Sequence, residues 1–308
     1  MPRLNYGTMD AGGVIYVNLF GTAGLRAGVE LLQAHDQRKE AARVRANLLN
    51  YRSAVDRLLQ LVNGNVGWDE RGLCCVLWPC GYDGLSSTPI QVARTPSPGR
   101  LPKLMRPLLY RLHLRMEPWS RSASIWPYLD MDYAHNAMFA GDRAAAFRTI
   151  ERYLNTPSFR TWATLDEGGE SDSGYWGLLL RDPELDDRVA MPHGWSLASL
   201  FALIRDSIVY ESRGSCVVLA GIPPDWFAEG RRIHFRLPTE FGRIDFTLKC
   251  RHNSADVLIE PGCAPPKGFV VKVVGADGEL SLKIPKSPTP GRAVHKRFPV
   301  HWAPQPSG

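Results

Sequence analysis

The spacing of apolar residues changes character about two thirds of the way along the chain. In the first part they recur every three or four positions, as on one face of an α-helix. This pattern predicts helices over 14–35, 38–61, 101–114 (limited by Pro107), 128–140, 143–154 and 196–210. In the last part apolar and polar residues alternate, which is typical of half-buried strands. The predicted strands lie over 216–219, 233–237, 242–249, 256–260, 269–274 and 280–284.

These elements predict a mainly α protein with a β domain. Successive helices joined by short polar links form antiparallel hairpins, and strands separated by Gly and Pro turns form a small antiparallel sandwich. We therefore expect a helical-hairpin domain over 1–213 and a C-terminal β-sandwich domain over 214–286. Residues 287–308 are rich in proline and are expected to form a poorly ordered tail.

The helix over 196–210 has the clearest pattern in the chain. Its apolar side chains are predicted to share one buried face: Leu197, Leu200, Phe201, Ile204 and Ile208. Arg205 and Asp206 fall on the opposite side of that helix. The preceding turn, 191–195, contains a proline and a glycine. We expect it to hold His193 and Trp195 rigidly at the mouth of the helical domain.

Composition narrows the classes of partner. The chain has 308 residues and a formal net charge of +6, but its Lys and Arg residues are scattered, and the longest basic runs are pairs. Nucleic acid is therefore not the expected partner. The N-terminus lacks the apolar segment of a signal peptide, and no apolar run approaches the ~20 residues that cross a bilayer. As encoded, the protein is expected in the cytoplasm without a membrane partner. A start site farther upstream would favour export.

Cysteine and tryptophan usage adds two further expectations. The six cysteines show neither a C-x-x-C pair nor zinc-finger spacing, so reduced thiols and no metal ion or cofactor are expected. Nine tryptophans indicate a site where a flat ligand such as a sugar stacks, although a large helical core uses tryptophan as well.

Three segments carry acids and aromatics suited to carbohydrate chemistry. The first holds Trp126, Tyr128, Asp130 and Asp132, but residues two apart on a helix point about 200° from each other. Either aspartate therefore also fits a solvated helix surface. The second, 162–170, presents acids before and after two glycines, and its candidate residues are Trp162, Asp166, Glu167 and Glu170. The third is the His193–Trp195 turn, whose histidine also fits a purely structural role.

Two long segments resemble the six-hairpin glycosidase superfamily, including its α-L-rhamnosidase-like bacterial enzymes. The sequence WPYLDMDYAHNAMFAGD at 126–142 is similar to a late helical hairpin of that barrel. The sequence MPHGWSLASLFALIRD at 191–206 is similar to the last barrel helix. Shorter likenesses at 218–226 and 237–242 match the start of the C-terminal β domain. The resemblance covers about residues 11–284.

The resemblance implies hydrolysis of oligo- or polysaccharide glycosidic bonds with inversion. Thr164-Leu-Asp-Glu167 matches the Thr-x-x-Glu loop of the family, which implies that Glu167 is the general base. His193 and Trp195 would then line the sugar subsite. The remaining substrate-binding candidates are Asp10, Trp126, Tyr128, Asp130, Trp162, Asp166 and Glu170.

The chain departs from the family in the number of predicted helices. A full barrel has twelve, so the fold expected here is an incomplete (α/α)6-type helical toroid followed by a small antiparallel β-sandwich. The family's general acid lies upstream of the matched part, so a truncated enzyme without that acid is expected. The alternative is a non-catalytic carbohydrate-binding or structural remnant. An incomplete barrel also leaves apolar helix faces uncovered, which predicts self-association or a partner that covers them.

Overall fold

The computed structural model describes residues 10–61, 78, 80–81, 127–165, 192–285 and 291–303. Within these ranges the chain forms six helices. They are α1 (Asp10–Ala34), α2 (Arg38–Leu61), α3 (Pro127–Phe139), α4 (Arg143–Leu154), α5 (Pro157–Trp162) and α6 (Gly194–Ile208). The helices predicted over 14–35, 38–61, 128–140, 143–154 and 196–210 are confirmed with small shifts of their ends. The helix predicted over 101–114 lies outside the described residues.

Eight strands follow α6 in the described residues. They are β1 (Val209–Ser212), β2 (Ser215–Val218), β3 (Arg232–Thr239), β4 (Gly242–Arg251), β5 (Ser254–Ile259), β6 (Phe269–Gly275), β7 (Gly278–Ile284) and β8 (Val294–Pro299). The first sheet has the order β1-β2-β6-β7 and the second the order β3-β4-β5-β8. The pairs are antiparallel except β2 with β6, which is parallel.

The first sheet is covered on both faces. Successive side chains of a strand point to opposite faces, and the two rows of this sheet meet different neighbours. Tyr210, Val217 and Val270 lie in one cross-strand row and pack with the helices. The adjacent row, which contains Val218 and Val271, packs with the inner face of the second sheet. The molecule is therefore layered as helices, first sheet and second sheet.

The buried guanidinium of Arg143 joins the helical layer to the first sheet. Its Nη1 donates to the carbonyl oxygens of Leu219 at 2.6 Å and Ile222 at 3.0 Å. Its Nη2 donates to the carbonyl of Lys272 at 3.2 Å, and its Nε to Glu279 at 3.0 Å. Burial lowers the pKa of Arg143, and the Glu279 carboxylate opposes that shift. This one side chain thus satisfies three backbone carbonyls and a carboxylate across the layer boundary.

Gly221 lets the helical layer and the first sheet pack closely together. A Cβ on Gly221 would lie 2.3 Å from the hydroxyl oxygen of Ser207 on α6 and 2.6 Å from the sulfur of Met138 on α3. Real Cβ atoms do not approach other atoms so closely. The connection after β2 therefore packs directly onto two helices because residue 221 has no side chain.

The predicted fold, an incomplete (α/α)6-type helical toroid followed by a small antiparallel β-sandwich, is wrong. The described residues contain six helices and two four-stranded sheets instead. The physical reason is that α3, α4 and α6, together with Leu19 of α1 and Val55 of α2, bury their shared core against the first sheet instead of around the axis of a ring. The β part also differs, because the parallel β2–β6 pair breaks the antiparallel order. Strand β1 follows α6 directly, before residue 213.

Two smaller expectations are also wrong. The segment after Lys286 was expected to be poorly ordered, but Val294–Pro299 forms β8, whose six residues pair with β5. The predicted buried face of α6 is wrong at two positions: Phe201 is 74% exposed, whereas Asp206, predicted on the opposite side, is only 8% exposed. Leu197, Leu200 and Ile204 pack in the helical core as predicted. The residues of α6 that are buried include several small polar ones: Ser196, Ser199, Leu200, Leu203, Asp206 and Ser207. Small side chains let α3 approach closely.

Replacing Arg143 by methionine should lower the free energy of unfolding by about 3 kcal/mol, because the buried carbonyls and Glu279 lose a charged donor. Urea denaturation of the purified protein measures this. Arg148→Met is the matched control, because Arg148 is an exposed arginine on the same helix. Equal effects of the two substitutions would show that the Arg143 contacts do not stabilise the layer boundary.

The second sheet should lose stability in acid through Asp256. Hydrogen bonds from Arg297 on β8, and then from Arg251 on β4, hold the pKa of this carboxyl below its usual range. A lowered folded-state pKa contributes stability that is present above the unfolded value of about 4 and is lost as the pH falls through the folded value. Asp256→Asn should therefore lower the free energy of unfolding at pH 7. The difference in this free energy between wild type and variant should become smaller below pH ~4. Urea denaturation at pH 7 and pH 3 checks this, with exposed Asp225→Asn as control. A difference independent of pH would refute it.

Candidate functional site

The N-terminus of α6 orders His193. The backbone N–H of Ser196 donates to Nδ1 of His193 at 3.3 Å, and the Ser196 hydroxyl lies 2.8 Å from the same nitrogen. His193 is thus the N-cap of α6, a position that satisfies one of the unpaired N–H groups of a helix start. Because Nδ1 accepts, the proton of the neutral ring lies on Nε2. The ring therefore has an N–H donor available on the side away from the helix.

An aromatic cluster forms where α3 and α6 begin. The ring of Tyr128 lies 4.3 Å from that of Trp195 and 5.4 Å from that of His193, measured between centroids. Tyr128 is buried, while His193 and Trp195 are half-buried. We call Tyr128, His193 and Trp195 the aromatic cluster. It brings three sequence-predicted site residues from two helices within ring-contact distance.

A backbone hydrogen bond links the predicted catalytic loop to this cluster. The N–H of His193 donates to the carbonyl of Leu165 at 2.9 Å. Leu165 is buried and is the second residue of the Thr164-Leu-Asp-Glu167 motif. Just before the motif, Ala163 ends α5 in the left-handed region with φ 51°. Two segments that are 28 residues apart in sequence thus meet at the start of α6.

The other predicted site residues are placed as follows. Trp126, Asp166, Glu167 and Glu170 lie outside the described residues. Asp10 is the first residue of α1, and Trp162 is the last residue of α5.

The aspartates of α3 are buried rather than solvated, so the surface interpretation is wrong for both. Asp130 is 1% exposed and accepts a hydrogen bond from the Tyr153 hydroxyl at 2.6 Å. Asp132 is fully buried and accepts from the Ser199 hydroxyl at 2.9 Å. The predicted divergence is confirmed, because Asp130 binds α4 and Asp132 binds α6. Neither carboxylate belongs to the aromatic cluster.

A chain of ionic contacts absent from the sequence predictions begins on α3, one helical turn after Asp132. Nε2 of His135 lies 2.8 Å from the Asp206 carboxylate, whose other oxygen accepts from Arg205 at 2.8 Å. Arg205 also donates to Glu211 at 2.6 Å and 2.8 Å. Burial lowers the pKa of Arg205, but the hydrogen bonds with Glu211 and Asp206 outweigh it and raise the pKa. The chain connects α3 to β1 through α6.

His135 has an unusual environment. Its ring is fully buried and stacks on Trp78 at 4.4 Å, with Phe139 at its edge. Nδ1 of His135 has no hydrogen-bond partner among the described residues. One sequence feature indicates this environment. His135 and Asn136 follow Asp132 by three and four positions, so the three polar side chains lie on one face of the helix. In an otherwise apolar helix such a stripe indicates a partner helix with matching polar residues.

Comparison of the whole chain with family models, with curated proteins and with solved structures found no match. The resemblance to the six-hairpin glycosidases therefore stays a prediction. Across the described ranges no cluster of His, Cys, Asp and Glu is suited to hold a metal ion. The helices described here are also too short or too polar to cross a membrane.

Replacing Asp206 by alanine should lower the free energy of unfolding by about 3 kcal/mol, because it removes the partner of the buried His135 ring. Thermal and urea denaturation measure the change. Glu151→Ala, which removes an exposed acid of α4, is the control and should change stability by less than ~0.5 kcal/mol. An unchanged unfolding curve for Asp206→Ala would mean that the ionic chain contributes no net stability.

Proposed function

We propose that this protein binds carbohydrate at the aromatic cluster and hydrolyses a glycosidic bond there by inversion. The observation that supports this most is the hydrogen bond between His193 and Leu165, because it joins the predicted sugar subsite to the predicted catalytic loop. The resemblance to the six-hairpin glycosidases supplies the role of the general base for Glu167, two residues after Leu165 in sequence.

The cluster has the groups that a sugar subsite needs. Trp195 has the kind of ring on which the C–H face of a pyranose stacks, and the ring of Tyr128 lies 4.3 Å from it between centroids. The Nε2–H of His193 donates to a sugar hydroxyl. Inversion requires a second carboxyl group to protonate the leaving oxygen. In the resembling family that acid comes from a segment upstream of the matched part.

One observation favours a second candidate, a non-catalytic carbohydrate-binding protein. Both described carboxylates of α3 are engaged inside the protein, Asp130 by Tyr153 and Asp132 by Ser199. Within the described residues neither of these acids is presented to a ligand at the aromatic cluster. Binding by the cluster does not depend on them, whereas hydrolysis depends on a proton donor.

A Trp195→Ala substitution tests the binding part of the proposal. Loss of the stacking ring should weaken oligosaccharide affinity on the order of tenfold, measured by titration calorimetry with the best ligand from a glycan panel. Trp226→Ala is the matched control, because Trp226 is half exposed in the turn before β3 and lies outside the cluster. Equal affinities of the two variants would contradict a sugar subsite at the cluster.

A Glu167→Gln substitution then separates the two candidates. For a hydrolase, kcat on the best aryl glycoside should fall on the order of 10²–10⁴-fold while oligosaccharide affinity is retained. For a binding protein no glycoside is turned over, yet affinity still depends on Trp195. An unchanged kcat in the Glu167→Gln variant would exclude this residue as the general base.

A further inference from the structure

The outer face of the second sheet is strongly basic. In β3, β4, β5 and β8 most apolar side chains point inward, so the alternate positions, which include Leu258, point outward. These outward positions hold six Arg and Lys residues against two Asp, a net charge of +4. We call their charged and histidine members the basic face: Arg232, His234, Arg236, Arg243, Asp245, Lys249, Arg251, Asp256, His295 and Arg297. Scattered in sequence, these cations are gathered by the strand register.

The two aspartates neutralise only part of this charge. Asp245 pairs with Arg236 and His234, and Asp256 pairs with Arg251 and Arg297. Three exposed cations, Arg232, Arg243 and Lys249, make no ion pair within the ranges that the structure describes. The face therefore keeps positive charge that is not used inside the fold.

Two of these cations oppose each other directly. Arg232 on β3 and Lys249 on β4 are cross-strand partners. Lys249 also faces Asp256 on β5, but that carboxylate is bound by Arg251 and Arg297. Like charges at directly opposed positions destabilise a sheet, and Arg232, on the edge strand, has only Lys249 opposite it among the described strands. An anion bound across the pair would offset that repulsion.

A groove lies at the same end of the face. Its volume is about 360 Å³, and its lining includes Arg231, Arg232, Lys249 and Arg251. The one acid in the lining, Glu229, pairs with His252 at 3.3 Å. The groove is thus a concave site with four cations, continuous with the basic face.

We propose that the groove and the basic face bind an acidic oligosaccharide, one whose sugars carry carboxylate or sulfate groups. One anionic sugar lies in the groove between Arg232 and Lys249, and the sugar chain continues along β4 towards Arg243. The exposed His234 bonds the sugar hydroxyls between the charged groups. This site lies on the second sheet, in a different layer from the aromatic cluster, and does not rest on hydrolysis there.

Nucleic acid fits the same face less well. Single strands are bound by stacking bases on aromatic side chains, and no outward position of these four strands holds Phe, Tyr or Trp. Asp245 also lies among the cations. Its carboxylate repels a DNA backbone, which has a phosphate on every nucleotide, whereas a sugar chain provides hydroxyl groups that donate to it.

Arg232→Glu gives a test that misfolding cannot mimic. Arg232 lies on the edge strand β3 and has Lys249 as its cross-strand partner, so the substitution places opposite charges there. The melting temperature should therefore rise or stay unchanged while binding is lost. Affinity for an oligogalacturonate and for a heparin oligosaccharide is measured at 50 mM NaCl by calorimetry on the full chain. We expect Arg232→Glu to weaken the tighter of the two on the order of tenfold or more, as for a lost charge-assisted hydrogen bond.

Arg45→Glu is the matched control, because it makes the same change in net charge at an exposed position of α2. Arg45→Glu should change affinity less than twofold. Tighter binding of the oligogalacturonate by the wild type would assign carboxylate as the recognised group, and tighter binding of the heparin oligosaccharide would assign sulfate. Equal losses in both variants would overturn the proposal, because they indicate attraction by net charge alone. No binding of either oligosaccharide, or tighter binding of a DNA oligonucleotide that Arg232→Glu abolishes, would also overturn it.

Discussion

The first sheet must be covered on both faces, and most of the architecture follows from that requirement. One row of its side chains, Tyr210, Val217 and Val270, needs an apolar layer of helices, and the next row needs the second sheet. A parallel pair at its centre is typical of a sheet buried on both sides. Backbone carbonyl groups at a buried boundary have no water to bind and need another donor. The guanidinium of Arg143 donates hydrogen bonds to three of these carbonyls.

The same demand for partners explains the polar interior of the helical layer. Asp130 with Tyr153, Asp132 with Ser199, and His135 with Asp206 each link α3 to a neighbouring helix. Polar groups are tolerated there because each pair satisfies hydrogen bonds that water would otherwise provide. Directional pairs also define which face of α6 meets α3, which apolar contacts alone define less sharply.

Sequence patterns predicted the elements better than their arrangement. Alternation gave the strand over 243–249 correctly because its inner face is apolar and its outer face charged. The 3.6-residue period located α6 but misplaced part of its buried face, since Phe201 is exposed and Asp206 is buried beside a partner on another helix. Strand pairing was not predictable, because the parallel β2–β6 contact joins segments about 50 residues apart. The aromatic cluster was suggested by residue types, whereas its link to Leu165 is a backbone contact without a sequence signature.

The parallel β2–β6 pair also affects how the protein is made. The whole of β3, β4 and β5 is synthesised between the two partners, so the first sheet stays open while three of the four strands of the second sheet leave the ribosome. Two of the acceptors of Arg143, Leu219 and Ile222, emerge early, but Glu279 follows Leu219 by 60 residues. At roughly 5–20 residues per second, that delay lasts about 3–12 s. During this interval the apolar surface of the helical layer that Val270 of β6 covers in the folded protein remains exposed.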